Sequence, residues 1–89
     1  MDRTMYPVDV ISVCTAVGEI RPLRLRLGWE QGDVACIHIE EVLKVTEVPH
    51  VGVEAHIFLC RGKFCDQQML FELKYTFRSH SWTLLRRIC

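Results

Sequence analysis

Long apolar runs are missing from this chain. No stretch approaches the roughly 20 residues that cross a bilayer as a helix, so the sequence offers no helical span and no membrane among the expected partners. A charge bias is missing too: 11 basic and 11 acidic residues give a formal net charge of zero. Whole-molecule attraction to nucleic acid is thereby absent, and any such binding needs a local patch. Glycine and proline are scarce, five and three in 89 residues, and no repeat, linker or low-complexity segment interrupts the chain. With 49% hydrophobic and 25% charged residues, composition argues against disorder and for a single domain over residues 1–89. The opening MDRTMYPVDV has an early Asp and no apolar core, so it does not read as a signal peptide. Cys14, Cys36, Cys60, Cys65 and Cys89 make an odd number. Without an export signal that number points to reduced thiols and a cytoplasmic location.

What is present is alternation. Hydrophobic residues recur with period two almost throughout, the mark of strands with one buried face. Six are expected: Val8–Ala16, a second carrying Leu23, Leu25, Leu27 and Trp29, then Val34–Val45, Val51–Cys60, Met69–Phe77 and Trp82–Ile88. Breakers fall between them at Gly18, at Gly28 and Gly32, at Pro49, at Gly62 with Asp66, and at the Ser79-His80 link. The expected fold is all-β, a six-stranded antiparallel meander curled into a small barrel or roll, which buries one face and limits free edges.

Inward residues must face inward residues, which tests the register. Phe77 opposite Trp82 sets Tyr75 against Leu84 and Phe71 against Ile88. Leu59 opposite Met69 sets Ile57 with Phe71 and Val53 with Tyr75. Val45 opposite Val51 sets Ile39 with Ile57 and Ile37 with Leu59. The predicted inward face is Ile11, Val13, Leu23, Leu25, Ile37, Ile39, Leu43, Val53, Ile57, Leu59, Phe71, Leu73, Tyr75, Trp82 and Leu84. Glu41 and Arg86 do not fit it. Arg21 falls opposite Glu41, and an ion pair there or a β-bulge near Glu40-Glu41 accommodates the misfit. A short helix over Glu40–Glu47 is the local alternative.

The same registers set out candidate sites. Phe58, Leu70 and Val42, with Leu85, fall on an otherwise polar outer face and suggest a contact surface for a second copy or a partner protein. Arg24, Arg26, Lys74, Arg78 and Arg87 point outward and offer a basic face for nucleic acid. Against that reading, Phe71, Tyr75, Phe77 and Trp82 are spent on the core, and Glu40, Glu54 and Glu72 interleave with the basic residues. Cys36 falls opposite Cys60, with His38 and Cys65 nearby, a donor set that suits tetrahedral zinc. Yet the Cys60-x4-Cys65 spacing is looser than a two-residue knuckle, and cysteine is also an ordinary small apolar strand residue. Cofactors are not expected. Catalysis finds little footing. Ser79 and His80 are neighbours in a turn, no glycine-rich phosphate loop is present, and Glu40 and Glu41 point to opposite faces of a strand.

The segments IRPLRLRLGW and LFELKYTFRSHSWTLLRRI resemble a group of short bacterial proteins. That group shows a Pro-apolar-Arg-apolar strand and a closing hairpin of the form aromatic-Glu-Leu then Trp-x-Leu-x-Arg. The resemblance spans Ile20 to Ile88 and implies a single β-barrel-like domain of bacterial origin, with no activity or catalytic residues attached. The functional expectation is a non-enzymatic binding or interaction module of the bacterial cytoplasm. A nucleic-acid accessory domain is the first alternative and a small zinc-binding domain the second.

Overall fold

The computed structural model describes residues 6–28, 34–49 and 54–88. Trp29, Gly32, Val51, Val53 and Cys89, named above, lie outside them. Among the described residues six strands follow in chain order: β1 (Tyr6–Cys14), β2 (Ile20–Gly28), β3 (Val34–Val48), β4 (Ala55–Phe64), β5 (Gln67–Thr76) and β6 (Ser81–Arg87). All pairings are antiparallel, each strand neighbours the next, and β1 returns to β6 to close a barrel. The meander is as the alternation predicts, and the β1–β6 pairing decides between barrel and roll in favour of the closed barrel. The helix considered over Glu40–Glu47 is strand, and no described residues form a helix long and apolar enough to cross a membrane.

Hairpin chemistry sets the registers. The β4–β5 connection is the two-residue turn Cys65-Asp66, with φ of 52° and 62°, flanked by the pair Phe64↔Gln67. Positive φ at both central positions is the type I′ arrangement, whose twist matches that of the strands. Neither residue is glycine, so each carries the steric penalty of the left-handed region. Asn-Gly in place of Cys65-Asp66 is expected to raise stability by about 1 kcal/mol. That corresponds to roughly 4–8 °C in Tm for a domain of this size, measurable by thermal melting.

β3 is too long to be straight. Fifteen residues at about 3.3 Å each would run about 50 Å, whereas the longest dimension of the molecule is 35 Å. Two bulges bend it. Glu40 is left unpaired between Ile39↔Gly62 and Glu41↔Arg61, and Leu43 between Val42↔Cys60 and Lys44↔Leu59. Each extra residue turns the following side chains to the other face and sharpens the twist. The bulge expected near Glu40-Glu41 is therefore real, and it disposes of the Glu41 misfit. Glu41 lies opposite Arg61 in the ladder, 2.7 Å from its Nη2. A further bulge at Leu85, between Leu73↔Leu84 and Glu72↔Arg86, does the same for Arg86, which donates from Nε to Glu72 at 2.9 Å.

The core comprises Leu25, Ile37, Phe58, Cys60, Phe71, Leu73, Tyr75 and Trp82, with Val8, Val10, Ile20, Ile39, Val42, Met69, Phe77 and Leu84 packed against it. Several predicted inward residues are corrected. Ile11, Val13, Leu23 and Leu43 are exposed. On β1 the residues packed inward are Val8 and Val10, so Ile11 and Val13 have the opposite parity. Leu23 and Leu43 are the unpaired residues of bulges. Ile57 and Leu59 are half-buried and alternate with the buried Phe58 and Cys60.

Candidate binding cleft

The β2–β3 ladder is short. It runs from Gly28↔Val34 to Arg24↔His38 and stops, although β2 continues to Ile20 and β3 to Val48. Sequence explains the parting. Pro22 has no N–H to give a ladder and sits beside the unpaired Leu23, the position at which sheets tolerate proline. Across the gap, β3 carries the bulges at Glu40 and Leu43, which bend a strand and sharpen its twist.

The gap is a cleft of about 680 Å³ lined by Gly18, Glu19, Ile20, Arg21, Glu40, Glu41, Val42, Val45, Glu47, His56, Phe58 and Phe77. Its volume lies within the range of small-molecule sites. The β1–β2 hairpin supplies one wall. Its five-residue loop is held by Thr15 N donating to Glu19 O at 2.8 Å and Gly18 N donating to Thr15 O at 2.9 Å. Gly18 there has φ of 88°, open to glycine at no steric cost. β3 supplies the other wall, and β4 with Phe77 the floor.

That floor belongs to a closed circuit of rings. His56 meets Phe77 edge to face at 4.9 Å, Phe77 meets Tyr75 at 5.1 Å, Tyr75 meets Trp82 at 4.9 Å, Trp82 meets Phe58 at 5.5 Å, and Phe58 returns to His56 at 6.1 Å. Tilted and perpendicular contacts of this kind favour one arrangement of the rings. Tyr75 is further held by a 2.9 Å hydrogen bond between its hydroxyl and Nδ1 of His80, while Ser79 bonds Ser81. Ser79 and His80 thus engage different partners. Among the described residues the walls carry four carboxylates and the guanidinium of Arg21. Arg61 reaches Glu40 (3.8 Å) and Glu41 (2.7 Å), spanning the bulge between them. Glu47 stands 3.9 Å from Nε2 of His56, beyond hydrogen-bond reach.

The residues expected at sites from sequence are placed differently. Phe58, the leading contact residue, is 3% exposed in the core. Val42 is half-buried and packed against that core, opposite Cys60, and Leu70 lies on the outer face opposite Arg61. Phe58 and Val42 both line the cleft, whereas Leu70 stands apart from them. The zinc donors are also separated. Cys36 is exposed opposite Arg26, His38 is exposed opposite Arg24 and Lys63, Cys65 occupies the turn, and Cys60 is wholly buried. Among the described residues no group of three His, Cys, Asp or Glu side chains converges on a metal position. The cause is register: Cys60 pairs with Val42 and Phe71 rather than Cys36.

Burial pushes the Cys60 thiol up to about 12, because an apolar surrounding disfavours the thiolate. Alkylation at pH 8 followed by peptide mass mapping is expected to label Cys14, Cys36 and Cys65 and to reach Cys60 only after denaturation. Between the ordinary thiol value of 9.0 and about 12, the unfolded chain loses this proton and the folded chain keeps it. Stability supplied by Cys60 is therefore full below pH 9 and falls as pH rises from there.

The five predicted basic residues do not gather either. Arg24 and Arg26 are on β2, Lys74 on β5, Arg87 on β6 and Arg78 in the β5–β6 turn, with β1 between β2 and β6. Arg26 is bonded to Asp9 of β1. A different outward row exists, Arg24↔His38↔Lys63↔Gln68 across β2, β3, β4 and β5. Sequence reasoning misses the cleft and its Glu19, Glu47, His56 and Phe77. The available signals are Pro22 within a strand and the paired Glu40-Glu41. Comparison with protein-family models, with curated proteins and with solved structures finds no match.

Proposed function

We propose that the protein is a non-enzymatic binding module whose working surface is the cleft between β2 and β3. The observation that carries this reading is the parting of two strands that are otherwise paired, over an organised aromatic floor. A barrel of this size needs no such opening to bury its core. Proline and two bulges place it where apolar and charged side chains converge, the pattern of a ligand site. A reducing, cytoplasmic setting is part of the proposal, supported by Cys14, Cys36 and Cys65, exposed thiols that carry no disulfide.

The nucleic-acid alternative has one observation in its favour, the Arg24–His38–Lys63 row. Single-strand binders add stacking aromatics to such a surface, and no position of this row is aromatic; among the described residues Phe71, Tyr75 and Trp82 are buried, and the exposed aromatics are Tyr6 on β1 and Phe64 at the end of β4. Amide chemical-shift mapping tests the two readings together. A fragment library is expected to perturb Ile20, Val42, Val45, His56 and Phe77 as one cluster. Oligothymidylate at about 0.15 M salt, where the Debye length is about 8 Å, is expected to give no saturable shift. Fragment hits that avoid the cleft, or saturable oligonucleotide shifts along Arg24, His38 and Lys63, overturn the proposal.

A further inference from the structure

We infer that the cleft takes an organic cation, an ammonium or guanidinium group carried on an apolar stem. The inference rests on the reading of the cleft as the binding surface and names the chemistry of its ligand. Three features of the lining converge on it. Among the described lining residues Glu19, Glu40, Glu41 and Glu47 meet the guanidinium of Arg21, and even with Arg61 paired to Glu40 and Glu41 the carboxylates are in excess, which disfavours anions. Arg61 occupies Glu40 and Glu41 from the β4 side, and Glu19 and Glu47 stand on opposite walls, one on the hairpin and one on β3. The floor presents His56 and Phe77, both half-buried, above Phe58. A phenyl ring such as that of Phe77 attracts cations through its quadrupole, and most strongly where water is partly excluded.

Ile20, Val42 and Val45 supply the apolar part of the lining. Val45 is 47% exposed although its strand partner is the core residue Phe58. An apolar side chain opposite the core yet open to solvent is explained by the cleft it faces, and it suits an alkyl stem. A bare metal ion would have no use for these surfaces, and among the described residues no three metal-ligating side chains converge. A neutral apolar ligand would leave the carboxylates unused, and an anion would meet them directly.

Cations of this chemistry come either as free amines or as lysine and arginine side chains of a partner protein. The probes are n-butylammonium, n-butylguanidinium, n-butanol and n-butyrate, with a blocked Val-Lys-Val tripeptide, each titrated at constant ionic strength near 0.1 M while amide shifts are followed. Both cations are expected to bind at the cleft about tenfold more tightly than butanol, the sum of one ring contact and one partly screened charge pair. Butyrate is expected to give no saturation. Glu19→Gln with Glu47→Gln should bring the cations down to the level of butanol and leave butanol unchanged, which a merely misfolded variant would not do. Tighter binding of the tripeptide than of butylammonium assigns the cation to a partner protein, and the reverse assigns it to a free amine. Equal binding of butanol and the cations overturns the cation inference while the cleft remains the binding surface. Absence of cleft shifts with every probe overturns both.

Discussion

Phe58→Asp is expected to leave the chain unfolded in water at room temperature. Removing the ring from a site that is 3% exposed costs about 3–5 kcal/mol on the evidence of core truncations. The carboxylate adds the cost of an unpaired charge among Leu73, Val45 and Trp82, several kcal/mol more unless it takes up a proton. A domain of this length has about 4–13 kcal/mol to lose. The measurement is far-UV circular dichroism with a thermal scan, and the expected trace has neither the strand signal nor a transition. Leu59→Asp is the matched control. Leu59 is half-buried and faces Lys44 and Glu72 from the outside of the barrel, so that variant is expected to fold with a reduced midpoint. The register derived from sequence predicts the opposite ranking, with Leu59 inside and Phe58 on the surface. A folded Phe58→Asp protein beside an unfolded Leu59→Asp protein would reinstate it.

The faces of β4 are ambiguous in sequence because of its composition. In HIFLC both parities are apolar, Ile57 and Leu59 on one and Phe58 and Cys60 on the other, so burial cannot choose a face from the pattern alone. The choice then falls to the turn. Gly62 with Asp66 has the composition of a breaker, which centres the expected hairpin about one and a half residues early and shifts the pairing by three. An odd shift exchanges the faces, and it carries Cys60 and Phe58 outside together, with the zinc site and the contact patch. On β5 and β6 the predicted pairing is also displaced, Phe77↔Trp82 in place of Tyr75↔Trp82. That displacement is even, so Phe71, Leu73, Tyr75, Trp82 and Leu84 keep their inward assignment. β1 repeats the lesson of β4, with Val8 and Val10 competing against Ile11 and Val13. Element number and order are legible because they depend only on alternation and breakers, whereas closure rests on the β1–β6 pairing, for which the sequence carries no local signal. Faces are legible only where one parity is polar.

The cleft is illegible for a different reason. It arises where the local rules of a strand are broken, at Pro22, Leu23, Glu40 and Leu43, and alternation reports on strands rather than on their interruptions. Glu40-Glu41 does register as a bulge in the pattern of inward residues. What no local signal carries is that a bulge on β3 and a proline on β2 fall opposite one another, which becomes visible only when β2 and β3 are side by side. Such violations cluster at functional positions in sequences that otherwise agree with their fold. That agreement is good elsewhere in this barrel and fails at the walls of the cleft.

Gly62 provides the second large effect, and it tests the corrected register by another route. A Cβ at this position would lie 2.7 Å from Cε1 of Phe71 and 2.8 Å from the carbonyl oxygen of His38. Neither neighbour yields easily. The ring is fully buried, and the carbonyl belongs to the backbone of β3. Gly62→Ala is accordingly expected to cost about 3 kcal/mol, the upper part of the range for overpacked cores. It should appear as a lower denaturation midpoint with the slope preserved. Gly18→Ala separates sterics from backbone preference. That glycine has φ of 88°, and nothing lies within 4 Å of the place a Cβ would take, so its replacement costs only the left-handed penalty of about 1–2 kcal/mol. Phe71→Leu removes the ring carbon that Gly62→Ala would meet. If the clash is the cause, the two substitutions together cost less than the sum of their separate effects, with a coupling of about 1 kcal/mol. Strict additivity would mean that Gly62 is not packed against Phe71, and the pairing of Cys60 with Phe71 that buries the thiol would fall with it.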